Sequence, residues 1–365
     1  MRVHLDISEL VRNPRLSGIQ RVERELIRHW PGPAELVPCR FESADGMLHE
    51  LPTAVLDLLC TAGDDDARAA LLPYLRPLGA ALDPKTRTVC AELFVDRARA
   101  AYYRGRGGSS AFWLVYDFLP WLRPEWFAAG AANAMMPYVQ ALRAVPHLAF
   151  ISTATRRDCT ERILRRDCPG PVIPLGADGL GLKPQRFDPA RRDFVVLGAI
   201  EPRKNVAGVI RAFSQLWAEG VEAGLSIIGV LADDSLEERV LLEELRGERR
   251  FRHLSRLPDE GVRESLARAR AVLFPSEGEG YGLPPMEALH AGIPVIVWAG
   301  LPALHELSGA GQIRLPLANA GAIADAVRCL MDDAAAARLW ADAATLHLPT
   351  WKDFARAFAD WVQGS

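Results

Sequence analysis

The residues best placed to do chemistry lie in one run, Ser276-Glu277-Gly278-Glu279-Gly280-Tyr281-Gly282-Leu283-Pro284-Pro285-Met286-Glu287-Ala288. Gly278, Gly280 and Gly282 let the backbone pass close to a ligand. The prolines after them suit the first turn of a helix, whose unpaired N–H groups and dipole favour an anion. The apolar run Ala271 to Ser276 reads as a buried strand, so the loop leaves a strand's carboxyl end, the geometry of a phosphate site in a parallel sheet. Glu279 and Glu287 stand eight residues apart, the first on the loop and the second in the opening helical turn. Two carboxylates beside a phosphate cradle are suited to accept the hydroxyls of a ribose and a sugar. A tight turn with glutamates at a helix start would need only some of these features.

A basic turn, Glu201-Pro202-Arg203-Lys204-Asn205, follows the strand-like run Phe194 to Ile200 and precedes a helical pattern of Val206, Val209, Ile210, Phe213, Leu216 and Trp217. Two adjacent cations there can neutralise a diphosphate as it departs, when its charge is greatest. A helix start without a ligand would favour acids. Near the amino terminus, Arg15-Leu16-Ser17-Gly18-Ile19-Gln20-Arg21 carries a capping box in Ser17 and Gln20. Capping does not call for Gly18, a poor helix former, and a glycine there leaves the helix start open to a ligand. Asp117, in Val115-Tyr116-Asp117-Phe118-Leu119-Pro120, ends a strand-like run, where an acid either orients a ligand or caps a turn. Ser152-Thr153 ends another.

Other features carry less. Asp64-Asp65-Asp66 contains the Asp-x-Asp of metal-dependent sugar chemistry, but it follows Gly63 in a polar stretch and closes no strand, so no metal is expected. His253 and His290 have no partner at ligand spacing. Trp113, Trp121 and Trp126 read either as a platform for an acceptor or as packing. The six cysteines, Cys39, Cys60, Cys90, Cys159, Cys168 and Cys329, show no Cys-x-x-Cys and fit buried thiols in a reducing cytoplasm.

The elements that must position these groups follow from the apolar rhythm. A chain of 365 residues, 49% hydrophobic and 24% charged, has the length of two α/β domains and apolar content for a core in each. Strands alternate with amphipathic helices, which implies βαβ units and parallel sheets. In the carboxyl half, strands read at Phe194 to Ile200, Leu225 to Val230, His253 to Leu257, Ala271 to Ser276 and Pro294 to Trp298. The amino half opens with a strand, Val3 to Ile7, and a helix bearing Ile19, Val22, Leu26 and Trp30; strands return at Ala111 to Tyr116 and Leu148 to Ser152. Residues 43–110 give no readable topology. The expected division is 1–173, with a terminal helix at 350–365 packing back on it, and 174–349, joined by a hinge from Pro174 to Pro189. A net charge of −3 gives no bulk attraction to nucleic acid or anionic lipid, leaving at most peripheral membrane contact. The amino terminus shows no export signal, which points to the cytoplasm, up to the inner face of the membrane.

The Glu279 to Glu287 segment resembles the Glu-x7-Glu motif of retaining glycosyltransferases of the GT-B architecture, and specifically family 4. Pro275-Ser276 before it and Gly292-Ile293-Pro294-Val295-Ile296 after it extend the likeness, which covers 172–345. The resemblance implies two Rossmann-like doubly wound domains facing a central cleft. It also implies hexosyl transfer from a GDP- or UDP-sugar to a glycan or lipid-linked glycan, without a metal or other cofactor. By the same resemblance Glu287 holds the ribose and Glu279 lies near the transferred sugar. The backbone of Gly280, Tyr281, Gly282 and Leu283 meets sugar or diphosphate, and Lys204 binds the diphosphate. Many relatives place an arginine directly after the strand glycine; here that residue is Ala199, and Arg203 is expected to compensate. Gly18 approaches the donor phosphate, Leu257 lies near the base, and Asp117 orients acceptor or sugar, with Tyr116 where histidine is frequent. Ser17-Gly18-Ile19-Gln20-Arg21-Val22 resembles a subset making bacterial surface polysaccharides, mannosyl- and rhamnosyltransferases among them. A nucleotide-sugar 2-epimerase of the same architecture is the alternative enzyme, to be told apart by donor epimerisation without acceptor. A non-catalytic sugar-binding protein would tolerate loss of the basic turn and the glutamates, and both are present. A dehydrogenase is disfavoured because no Gly-x-Gly-x-x-Gly follows the first strand.

Overall fold

The computed structural model describes residues 2–14, 17–32, 34–61, 69–75, 79–301, 304 and 306–364. Two compact units are present: residues up to Gly176 together with those from Pro349 onward, and Ala177–Leu348.

The first unit holds β1 (Arg2–Asp6), β2 (Glu35–Glu42), β3 (Met47–Glu50), β4 (Thr88–Cys90), β5 (Ala111–Val115) and β6 (His147–Phe150), in the order β3-β2-β1-β4-β5-β6. Among the described strands of this sheet only β3 runs antiparallel, against β2. The second unit holds β7 (Asp193–Leu197), β8 (Gly224–Ile228), β9 (Phe251–Leu254), β10 (Ala269–Phe274), β11 (Val295–Trp298) and β12 (Gln312–Leu315). These lie in the order β12-β11-β10-β7-β8-β9, parallel throughout. Counted from its own first strand, each sheet runs 3-2-1-4-5-6, the doubly wound order. Connections depart in opposite directions from β1 and β4 in the first unit and from β7 and β10 in the second, which opens a crevice at the carboxyl ends of those pairs.

The central strands are apolar without alternation because helices cover both faces. β10 is buried at every residue. The helix Val206–Ala218 lays Val209, Ile210, Phe213 and Trp217 into the second core, with Phe213 edge-on to Phe194 of β7 at 5.8 Å.

The terminal helix Trp351–Gly364 belongs to the first unit, where it packs against the helix Gly18–His29. Arg87 donates to the carbonyl of Val362 at 2.6 Å, and Trp361 stands edge-on to Phe112 at 5.3 Å. Gly176 admits this return of the chain, since a Cβ there would lie 2.3 Å from the Trp351 nitrogen.

The unreadable stretch contains β3, the helix Ala54–Thr61 and β4. Each is too short for periodicity to show, and β4 has only three residues. The Asp64 to Asp66 run lies outside the described residues. Cys39, Cys90, Cys159 and Cys168 are buried, whereas Cys329 is exposed, contrary to the expectation of buried thiols; it sits on the outer side of the helix Ala320–Met331. Trp113 is fully buried, stacked on Tyr138 at 5.1 Å, so it belongs to the core and to no acceptor platform. No helix among the described residues is long and apolar enough to cross a membrane.

Candidate active site

The β7 and β10 loops meet at the crevice of the second sheet. β7 ends at Leu197, Gly198 follows it, and the chain runs to a single 3-10 turn, Pro202–Lys204. Asn205 follows at φ 54°, rare for a residue with a side chain. Its side-chain oxygen accepts from the Gly208 N–H at 3.2 Å and its amide donates to the Ala318 carbonyl. Those two bonds cap the Val206–Ala218 helix and hold the left-handed kink. The kink ends the basic turn next to the strand.

Gly198 and Gly229 make the strand ends approachable. The Gly198 N–H donates to the Ile228 carbonyl at 2.9 Å, and a Cβ on Gly229 would stand 1.9 Å from the Gly198 oxygen. Gly198 itself has φ 124°, and its missing Cβ would lie 2.9 Å from Lys204 Nζ. The ammonium thus sits over bare backbone at the strand end. Lys204 makes no ion pair with any described residue.

Arg203 has different company. Its Nη1 donates to Glu279 Oε1 and to the Gly278 carbonyl, both at 2.7 Å, and its Nη2 pairs with Glu201 Oε2 at 2.7 Å. The Arg203 carbonyl accepts the Glu277 N–H at 2.8 Å. Ser276, fully buried, places its hydroxyl 3.0 Å from Glu279 Oε1. The two cations expected to act as a pair therefore have separate surroundings.

The glycine loop ends at Gly282, whose φ of 91° suits glycine, and the helix Leu283–His290 begins there with prolines in its first turn. Pro284 and Pro285 have no N–H, so Leu283 is the first-turn residue that can offer a donor outward before Met286, which bonds back to the Gly282 carbonyl at 3.4 Å. The Gly282 and Leu283 N–H groups find no acceptor among the described residues. Tyr281 is buried, as is Gly280. Glu287 is the fifth residue of the helix, so it lies in the second turn and not the opening one, and it is 3% exposed.

Leu257 follows β9 on the same edge of the sheet, two strands from β7, and its side chain covers Gly261, where a Cβ would come within 2.7 Å of it. His253 is tied to the Gly229 carbonyl at 3.0 Å. Gly18 and Asp117 lie in the first unit. Gly18 opens its helix behind the Ser17–Gln20 capping box, with no described residue within 4 Å of where a Cβ would be. Asp117 Oδ1 accepts the Leu119 N–H at 3.0 Å, a turn cap, and Tyr116 is buried with its hydroxyl on the Ala91 carbonyl at 2.8 Å. Ser152 caps the helix Thr153–Asp158. Sequence reading overlooked Gly198 as the seat of Lys204, Ser276 as a donor to Glu279, and Glu201 as a partner of Arg203. A signal existed only for Asn205, as an N-cap before an apolar helix.

Residues 182–347, nearly the whole second unit, match the family Glycosyl transferases group 1. The second unit is thus similar to a group 1 glycosyltransferase domain along nearly its whole length. The chain is similar to the serotype-specific mannosyltransferase WbdA of Escherichia coli, 31% identical over 236 residues, covering 59% of this chain and 28% of the relative. It is also similar to the O-antigen chain mannosyltransferase B of Escherichia coli, 33% identical over 153 residues, 41% of this chain and 38% of the relative. The chain spans well under half the length of either relative. Among solved structures, Anabaena HepE, in complex with UDP and glucose, has a TM-score of 0.68 at 13% identity, covering 100% of this chain and 99% of its own. WaaG, a glycosyltransferase involved in lipopolysaccharide biosynthesis, has a TM-score of 0.60 at 16% identity, with 100% of both chains covered. These neighbours establish a GT-B fold.

Proposed function

We propose that this chain transfers a hexosyl group, with retention, from a nucleoside-diphosphate sugar held by the second unit to a hydroxyl of a glycan or lipid-linked glycan bound through the first. The observation that supports the reading is the joining of the β7 and β10 loops at the switch point through Arg203 and Glu279; the same two loops carry the Lys204 ammonium and the Gly282 and Leu283 N–H groups.

Cleavage of the bond from the sugar C1 to the diphosphate oxygen sends the electron pair to the diphosphate. Lys204 and the loop amides meet the charge as it grows, which lowers the barrier more than it strengthens ground-state binding. The acceptor oxygen bonds to C1 on the face the diphosphate leaves, and its proton passes to the departing phosphate oxygen. Glu279 accepts from the transferred sugar and Glu287 from the ribose. The Lys204 ammonium and the loop amides supply the countercharge, so the reading calls for no metal. The names of the relatives, mannosyltransferases of surface polysaccharides, favour mannose as the hexose.

The test is a thermal-shift panel of GDP, UDP, ADP and dTDP, followed by transfer assays with the sugar of whichever nucleotide stabilises the protein. Stabilisation by one diphosphate and transfer from its sugar are expected. No stabilisation by any of the four at millimolar concentration would remove the reading.

A further inference from the structure

The guanidinium of Arg203 is committed to carboxylates at both ends. Nη1 is shared by Glu279 Oε1 and the Gly278 carbonyl, and Nη2 is taken by Glu201 Oε2. The side chain is only 13% exposed, and that of Glu279 only 16%. One cation here serves two anions. A phosphate drawn to Arg203 would have to displace a carboxylate and leave it half-buried without its countercharge, which is costly. Lys204, one residue on, has no carboxylate partner among the described residues and stands over the bare backbone of Gly198.

The same side chain fixes one oxygen of Glu279. Oε1 receives Arg203 Nη1 at 2.7 Å and the Ser276 hydroxyl at 3.0 Å, whereas Oε2 makes no hydrogen bond with a described residue. The backbone repeats the connection, since the Arg203 carbonyl accepts the Glu277 N–H at 2.8 Å. Side chain and main chain together fasten the glycine loop to the basic turn.

We propose that Arg203 is a positioning residue: with Ser276 it holds Glu279 Oε1 so that Oε2 faces the sugar, and it leaves the diphosphate to Lys204. Glu201 is the second anchor, fixing the guanidinium from the opposite end. This assignment rests on the glycosyltransferase reading for its ligands, but the fastening of the loop does not.

The experiment compares Arg203→Met, Arg203→Lys and Lys204→Met. Hydrogen exchange of residues 276–282 in the unliganded protein should rise in Arg203→Met and stay at the wild-type rate in Lys204→Met. Calorimetry with whichever of GDP, UDP, ADP and dTDP the wild type binds should show affinity within about 3-fold of wild type for Arg203→Met and a loss of about tenfold or more for Lys204→Met. Turnover of the sugar donor should fall about 100-fold in Arg203→Met, the scale of a small misplacement at a reacting centre, and recover in part in Arg203→Lys. Equal loss of nucleotide affinity in Arg203→Met and Lys204→Met, or unchanged loop exchange in Arg203→Met, would overturn the proposal. If wild-type protein bound none of GDP, UDP, ADP and dTDP, the glycosyltransferase reading would fall, and the exchange rates would still decide whether Arg203 fastens the loop.

Discussion

The ammonium of Lys204 occupies the space that a side chain on Gly198 would need, 2.9 Å from the absent Cβ. A cation at the carboxyl end of a central strand stands where the residue just after the strand has no side chain. Gly198→Ala should therefore push Lys204 aside while also imposing a left-handed backbone on a residue with a side chain, a strain of about 1–2 kcal/mol. Affinity for the nucleoside diphosphate should drop several-fold, read by calorimetry, with a small fall in Tm. Wild-type affinity in the folded variant would mean that Lys204 does not meet the phosphate.

Glu287→Ala should weaken nucleoside-diphosphate binding by about 1.5–3 kcal/mol, the range for hydrogen bonds to a charged group. Because the carboxylate is 3% exposed and its helix is short, the measurement must include a melting curve. Unchanged calorimetric affinity in a folded variant would remove Glu287 from the donor site.

Gly18→Val has a clean background, since no described residue lies within 4 Å of the added Cβ and the Ser17–Gln20 capping box is independent of it. Helix propensity alone predicts no loss of stability. Transfer should fall about 100-fold while nucleotide affinity drops only modestly, measured by initial rates and calorimetry in parallel. Equal activity would reduce Gly18 to a helix-start residue. Complete loss of nucleotide binding would mean that the donor is assigned to the wrong unit.

The first unit carries a pH-sensitive cluster. Glu23 and Glu92 are buried carboxyl to carboxyl, beside Asp6 and Arg99. Burial, then the neighbouring Glu92 charge, pushes Glu23 well above the ordinary carboxylate range, and burial lifts Glu92 to about 7. Glu92 accepts the Glu9 and Leu10 N–H groups and Arg99, so it is the better placed of the two to carry the charge. The folded pair keeps a proton that the unfolded chain gives up near its ordinary pKa. Stability from this pair is thus fully present below the unfolded value and declines as pH rises toward the folded one, by at most about 1.4 kcal/mol per pH unit per proton. Tm should fall from about pH 5 to about pH 8 in the wild type. Glu23→Gln, which keeps a donor for Glu92 and cannot ionise, should fall less and melt higher at about pH 8. Parallel slopes would show that Glu23 holds no extra proton.

What the sequence determined by itself was local. Residues that follow one another in a strand, a turn and a helix start announce their structure by type and spacing. That is why Phe194 to Ile200, the capping box of Ser17 and Gln20, the apolar helix face from Val206 to Trp217, and the glycine and proline punctuation of 276–288 were legible. The short strands β3 and β4 were not, because three or four residues carry no period and their place is set by neighbours distant in the chain. Tertiary structure decided which loops meet. Two adjacent cations look alike in sequence, yet one is surrounded by Glu201 and Glu279 while the other lies over Gly198. That difference arises from the return of the chain from β9 to β10 beside β7, which brings a carboxylate 76 positions away in sequence onto Arg203 and leaves Lys204 without an ion pair among the described residues. Electrostatics acts through space, so the roles of Arg203 and Lys204 are set by the folded distances and not by their order in the chain.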